Sequence, residues 1–193
     1  EKEYASMLDP IEKGWITQGA KVAQFEKDFS ELHLLNNAIA TTSCTTGLHL
    51  ALVAAGVSQG DEVIIPSFTW VATANVVKYC GANPVFVDVD KETFNIDVSQ
   101  LSDKITNKTK AVIPVHLFGL CADIDSIRNI VGEDVFILED AACAAGSIYK
   151  EDRFAGSLGD AAAFSFHPRK IITTGEGGMV TTNNLELAKQ IVM

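Results

Sequence analysis

The chain has no Cys-x-x-Cys pair, no cysteine–histidine cluster at metal-ligand spacing, no lysine- or arginine-rich run, and no apolar stretch of membrane-spanning length. Each absence removes a class of function. The four cysteines (Cys44, Cys80, Cys121 and Cys143) lie far apart, in or beside apolar segments. That placement argues against a disulfide framework and suits a reduced, intracellular protein. With 15 basic against 25 acidic residues the formal charge is −10, which argues against nucleic acid or an anionic membrane surface as partner. Any anionic ligand must therefore be held by local donors. The opening Glu1-Lys2-Glu3-Tyr4 is not a signal peptide, so the expected location is the cytoplasm. No Gly-x-Gly-x-x-Gly follows the first strand pattern, and the glycines between 175 and 178 precede a strand rather than a helix, which speaks against a dinucleotide-binding dehydrogenase. Internal repeats, low-complexity tracts and linkers are missing too.

What remains is an ordinary globular composition, 47% apolar and 21% charged, in 193 residues: enough for one α/β domain and a little short for two. Short apolar segments predict strands at 38–42, 62–66, 84–89, 111–117, 135–138, 161–166 and 178–182. Between and around them, periodic patterns predict helices over 1–12, 22–34, 48–55, about 70–79, 123–131 and 185–193. Alternation of this kind predicts a three-layer α/β fold, a mostly parallel sheet with helices on both faces. In such sheets sites collect at the carboxyl ends of strands. Ser43, Pro66 to Trp70, His116, Asp140 and Ser165 to Lys170 all fall there. The final helical pattern stops without a cap, so the sequence reads as a fragment cut at both ends.

The segment from Phe164 to Val180 organises the rest. A strand pattern ends in Ser165, Phe166 and His167; Pro168 and Lys170 follow, then a glycine-rich turn leads into the last strand. A lysine beside an arginine in a loop is ordinarily a solvated residue. A lysine projecting into a cleft is instead a nucleophile for carbonyls, and pyridoxal phosphate is a common carbonyl partner. Such a cofactor needs a lysine for its Schiff base, a carboxylate opposite the pyridine nitrogen, an aromatic cover, and a helix N-terminus with hydroxyls for the phosphate. Lys170, Asp140, Trp70 and the run Ser43 to Thr46 supply one of each, and Ser165 could add a phosphate hydrogen bond.

Five motifs in one order resemble the DegT/DnrJ/EryC1/StrS family, nucleotide-sugar aminotransferases of the aspartate-aminotransferase fold (PLP fold type I). They are Thr42-Ser43-Cys44-Thr45-Thr46-Gly47, Pro66-Ser67-Phe68-Thr69-Trp70-Val71-Ala72-Thr73, Pro114-Val115-His116-Leu117-Phe118-Gly119, Glu139-Asp140-Ala141-Ala142, and Phe164-Ser165-Phe166-His167-Pro168-Arg169-Lys170 with Gly175-Glu176-Gly177-Gly178. The resemblance implies that residues 1–193 are a large PLP-binding domain whose small C-terminal domain lies outside this chain. It implies that Lys170 is the Schiff-base lysine and proton carrier, that Asp140 faces the pyridine nitrogen and that Trp70 stacks on the ring. Cys44, Thr45, Thr46 and Ser165 match the phosphate cradle. Cys143 falls where many members carry Gln or His near the phenolic oxygen, and a thiol donates more weakly. Gly14 to Gly19 resembles a loop of the sugar-nucleotide site. The implied activity is transfer of an amino group from glutamate to a keto-sugar nucleotide, a 4-keto-6-deoxyhexose on GDP, dTDP or UDP, by a homodimer with a shared active site. Some relatives replace the lysine with histidine and act as dehydratases; Lys170 points to transamination.

Two rivals stand beside this reading. Asp88-Val89-Asp90 after a strand has the Asp-x-Asp form that can hold a divalent cation in a glycosyltransferase. A non-catalytic member of the same fold is the other. His33 and His49 are expected to be surface or packing residues; His116 and His167 are placed to line the site or to pack beside it. Cys80 and Cys121 are expected in the core.

Overall fold

Strand-forming segments rich in Val, Ile and Ala bury both faces when helices cover a sheet on two sides. In the computed structural model, which describes residues 2–192, seven such strands form one sheet: β1 (Asn37–Thr41), β2 (Glu62–Pro66), β3 (Asn83–Val87), β4 (Thr109–Val112), β5 (Phe136–Asp140), β6 (Ala161–Ser165) and β7 (Gly178–Thr182). Six helices accompany them: α1 (Lys2–Glu12), α2 (Ala20–Leu32), α3 (Cys44–Ala54), α4 (Ala72–Tyr79), α5 (Ile124–Val131) and α6 (Leu185–Val192). Glu1 and Met193, the ends of the first and last predicted helices, lie outside the described residues.

The strand order is β1-β7-β6-β5-β4-β2-β3. Every neighbouring pair is parallel except the two that involve β7. The reason is local: the loop 166–177 between β6 and β7 forms no helix, and the chain turns back through it as a hairpin. Successive strand residues then serve opposite layers. Val63 and Ile65 join a core with Leu48, Leu52, Val76 and Leu187, from α3, α4 and α6. Ile64 points the other way, to Ile124 and Ile127 of α5. Likewise Ala163 and Val180 face α3, whereas Phe164 and Met179 pack with Phe29 of α2. Helices on both faces are as expected.

Most boundaries shift by a residue or two, and three shifts bear on the site. The fourth strand stops at Val112 rather than reaching 117, because Pro114 has no N–H to give a ladder and Phe118 takes a left-handed φ of 56°. The fifth strand runs on to Asp140, whose N–H donates to the Pro114 carbonyl (2.8 Å) and whose carbonyl accepts from the His116 N–H (3.0 Å). The third helix starts at Cys44, four residues early, because Ser43 caps it.

Candidate active site

The carboxyl ends of β1, β5 and β6 and the hairpin after β6 bring the predicted residues to one region. At the end of β1, Ser43 is extended and its Oγ accepts the Thr46 N–H (3.1 Å), an N-cap for α3. Ser43 Oγ and Thr42 Oγ1 lie 3.0 and 3.1 Å from Thr46 Oγ1, so three hydroxyls cluster at the helix start. The first amides of a helix have no intrahelical acceptor. Those of Cys44 and Thr45 have no partner among the described residues, which leaves donors for an anion at the positive end of α3. The Cys44 thiol itself turns inward and donates to the Ala163 carbonyl (3.5 Å). Burial, with the nearby Asp140 charge, pushes this thiol well above its ordinary value. Cys44 can therefore serve the cradle only through its backbone.

β7 closes against this helix end. A Cβ on Gly178 would fall 2.4 Å from the Ser43 carbonyl carbon and 2.5 Å from the Cys44 nitrogen, so only glycine fits. Ser165 pairs with Gly178 in register, which sets it beside the same helix end. Its hydroxyl accepts a long hydrogen bond from the His167 N–H (3.4 Å).

Lys170 lies in the hairpin loop, its N–H bonded to the His167 carbonyl (2.9 Å), and its Nζ approaches Cys143 Sγ to 3.1 Å. Asp140 is 5% exposed and ends β5. Thr73 Oγ1 donates to its Oδ2 (2.9 Å) and the Ala142 N–H to its Oδ1 (3.2 Å). Burial raises the Asp140 carboxyl above its ordinary value; these two donors and the nearby Lys170 charge oppose that shift without cancelling it. Such a carboxylate is short of one cationic partner, and a protonated pyridine nitrogen fits that need. Trp70 is 75% exposed at the entry to α4, its indole unpacked and open to a flat ligand.

Sequence reading missed Thr73 and the use of Glu139. The Glu139 carboxylate is fully buried and accepts from the N–H groups of Gly156 (2.7 Å), Leu158 (2.8 Å) and Gly159 (2.7 Å). His116 Nε2 lies 2.7 Å from it, and His116 Nδ1 accepts the Ala122 N–H (3.0 Å), so Nε2 is the donor to Glu139. His116 thus packs beneath the site instead of lining it. The only hint in the sequence was Glu139 adjoining Asp140, since strand neighbours face opposite layers. His33 is 1% exposed, its Nδ1 3.0 Å from the Phe29 carbonyl, a packing residue. His167 stays at the rim, half-exposed, 4.0 Å from Glu176.

The Asp-x-Asp alternative loses its carboxylates to local turns. Asp90 Oδ1 accepts from the Glu92 and Thr93 amides and the Thr93 hydroxyl, and these bonds hold it below the ordinary carboxylate range. Asp88 Oδ1 accepts from Val89 N–H (2.8 Å) and Ser67 (3.4 Å). Among the described residues no three His, Cys, Asp or Glu side chains are grouped as a metal ion requires. A cleft of 1420 Å³ runs along the edge of β1 between α2 and α6. It reaches Thr42 and Thr46 but not Lys170.

The sequence matches the DegT/DnrJ/EryC1/StrS aminotransferase family over residues 1–193. The chain belongs to that family. It is 48% identical to the GDP-perosamine synthase of Caulobacter vibrioides across 99% of this chain and 51% of that protein. To the spore coat polysaccharide biosynthesis protein SpsC of Bacillus subtilis it is 46% identical, across 99% of this chain and 49% of that protein. Among solved structures, DesV of S. venezuelae superposes with a TM-score of 0.94 at 35% identity, covering 98% of this chain and 52% of DesV. Spr1654 of Streptococcus pneumoniae, solved in a PLP form, gives 0.92 at 33% identity, covering 98% and 54%. The chain spans about half the length of the curated relatives it matches. The sheet and its two helical layers are those of the PLP fold type I large domain, as the resemblance implied.

Proposed function

We propose that the protein is a PLP-dependent aminotransferase that moves an amino group from glutamate to a keto-sugar nucleotide, with a 4-keto-6-deoxyhexose as acceptor. The observation that carries it is one amine and one buried carboxylate at neighbouring strand ends: Lys170 Nζ beside Cys143, and Asp140 held by Thr73 and Ala142. Bound there, pyridoxal phosphate supplies an electron sink for the bonds at the amine-bearing carbon. Lys170 would hold the cofactor through Nζ and supply an amine that takes and returns a proton. Asp140 would accept at the ring nitrogen, and Trp70 would cover the ring. The Cys44 and Thr45 amides, the Thr45 and Thr46 hydroxyls and Ser165 would hold the phosphate, and Cys143 would lie near the phenolic oxygen.

On this reading residues 1–193 form the large cofactor-binding domain, and a second copy completes the site. The exposed Phe68, Trp70, Phe94 and Phe118, all in loops that follow sheet strands at their carboxyl ends, support an interface there. The likeness to a GDP-perosamine synthase supports the sugar-nucleotide class. Borohydride reduction of the cofactor-loaded protein, followed by peptide mapping, is expected to find the pyridoxyl group on Lys170. A label on another lysine, or none, contradicts the assignment.

A further inference from the structure

We propose that Thr73 is a positioning residue whose hydroxyl fixes the Asp140 carboxylate and keeps it anionic opposite the cofactor's ring nitrogen. This rests on the reading that Asp140 faces that nitrogen. Thr73 is fully buried in the first turn of α4, and its own N–H is bonded to the Trp70 carbonyl (3.1 Å). A carboxylate only accepts, so the 2.9 Å contact must run from the Thr73 hydroxyl to Asp140 Oδ2. Thr69 Oγ1 lies 3.3 Å behind Thr73 Oγ1 and can donate into it, so a two-hydroxyl chain ends on the carboxylate. The Ala142 N–H pins the other oxygen (3.2 Å). Each oxygen thus has one fixed donor and room for one more.

The charged and titratable groups around Asp140 are His116, Lys170 and Cys44. None of them donates a hydrogen bond to the carboxylate among the described residues. Thr73 is the one side chain that does, and burial works against the anion throughout. A carboxylate that loses a donor becomes more basic and draws the shared proton from the ring nitrogen toward itself. The same short segment would then serve the ring twice, Trp70 on its face and Thr73 behind its nitrogen.

The test uses the full-length protein loaded with pyridoxal phosphate labelled with nitrogen-15 in the ring, comparing wild type, Thr73→Val and Thr73→Ser. The nitrogen signal of wild type and Thr73→Ser should lie at the protonated position. In Thr73→Val it should move toward the neutral-pyridine position, with the half-reaction with glutamate slowed about tenfold, the scale of one hydrogen bond to a charged group. A purely structural role would leave the nitrogen signal unmoved. A Thr73→Val signal identical to wild type overturns the inference while leaving the aminotransferase reading intact. A wild-type protein that binds no cofactor overturns that reading instead. Should Thr73→Val not fold, Thr69→Val removes the donor behind Thr73 and should shift the signal part of the way; no shift there also overturns the proposal.

Discussion

Asp140 concentrates the tension of the site in one residue. Its burial disfavours the charge that binding a pyridinium requires, and two hydrogen bonds only partly offset that cost. The folded carboxyl therefore titrates above its unfolded value of about 3.9. Between those two values the folded state holds a proton that the unfolded state has lost, so stability falls as pH rises across that window. Asp140→Asn should accordingly raise the melting temperature of the cofactor-free protein at neutral pH, lose that advantage below about pH 3.9, and abolish amine transfer. Melting curves across pH check it; an Asn variant less stable than wild type at pH 7 contradicts it. Glu139, one residue earlier, is a buried carboxylate with His116 and three amides bonded to it. Glu139→Ala should cost about 3–5 kcal/mol, because those donors lose their shared acceptor without water to replace it. Chemical denaturation measures this, and a loss under about 1 kcal/mol counts against the role.

At the scale of elements, the contact between α3 and β7 places the helix end proposed to hold the phosphate. Gly178 lets the strand meet the Ser43–Cys44 backbone, and Gly47, whose Cβ would lie 2.9 Å from Val180, lets the helix lie flat on the sheet. Gly178→Ala should destabilise the fold by about 1–3 kcal/mol through overpacking and weaken phosphate binding. Inorganic phosphate titrated into variant and wild type gives the readout, and equal affinities would show that the helix end does not depend on this contact. α5 offers a simpler case. Asp123 caps it, accepting from the Ser126 N–H and hydroxyl, and also takes Tyr149 and Lys150. Burial opposes its charge, but these bonds together hold the carboxyl well below the ordinary range. Asp123→Ala should cost about 1 kcal/mol at pH 7, and the difference from wild type should shrink as acid protonates Asp123. The strands were legible because runs such as Val63 to Ile65 and Ala161 to Phe164 are continuous apolar segments between turns. The reversal of β7 was not, since strand direction depends on the loop before it rather than on the strand's own residues.

Over the whole molecule, the order of motifs in the sequence carried more than any single residue. Lys170, Asp140, Ser43 to Thr46, Ser165 and Trp70 could be grouped from the sequence because each ends or follows a strand, and a parallel sheet gathers its strand ends at one edge. Thr73 and the His116–Glu139 pair were not, because a hydroxyl inside a helix and a charge inside a strand reveal their use only once the partner's position is known. No helix among the described residues is long and apolar enough to cross a membrane. Exposed aromatics follow the carboxyl ends of β2, β3 and β4, and the chain spans about half the length of the curated relatives it matches. The most direct test of the central claim is the absorbance spectrum of the full-length protein with pyridoxal phosphate, before and after glutamate, beside Lys170→Ala. The account predicts a yellow band that bleaches with glutamate in the wild type and is absent or unresponsive in the variant. A wild type that stays colourless with the cofactor supplied, or a variant that bleaches like wild type, would contradict it.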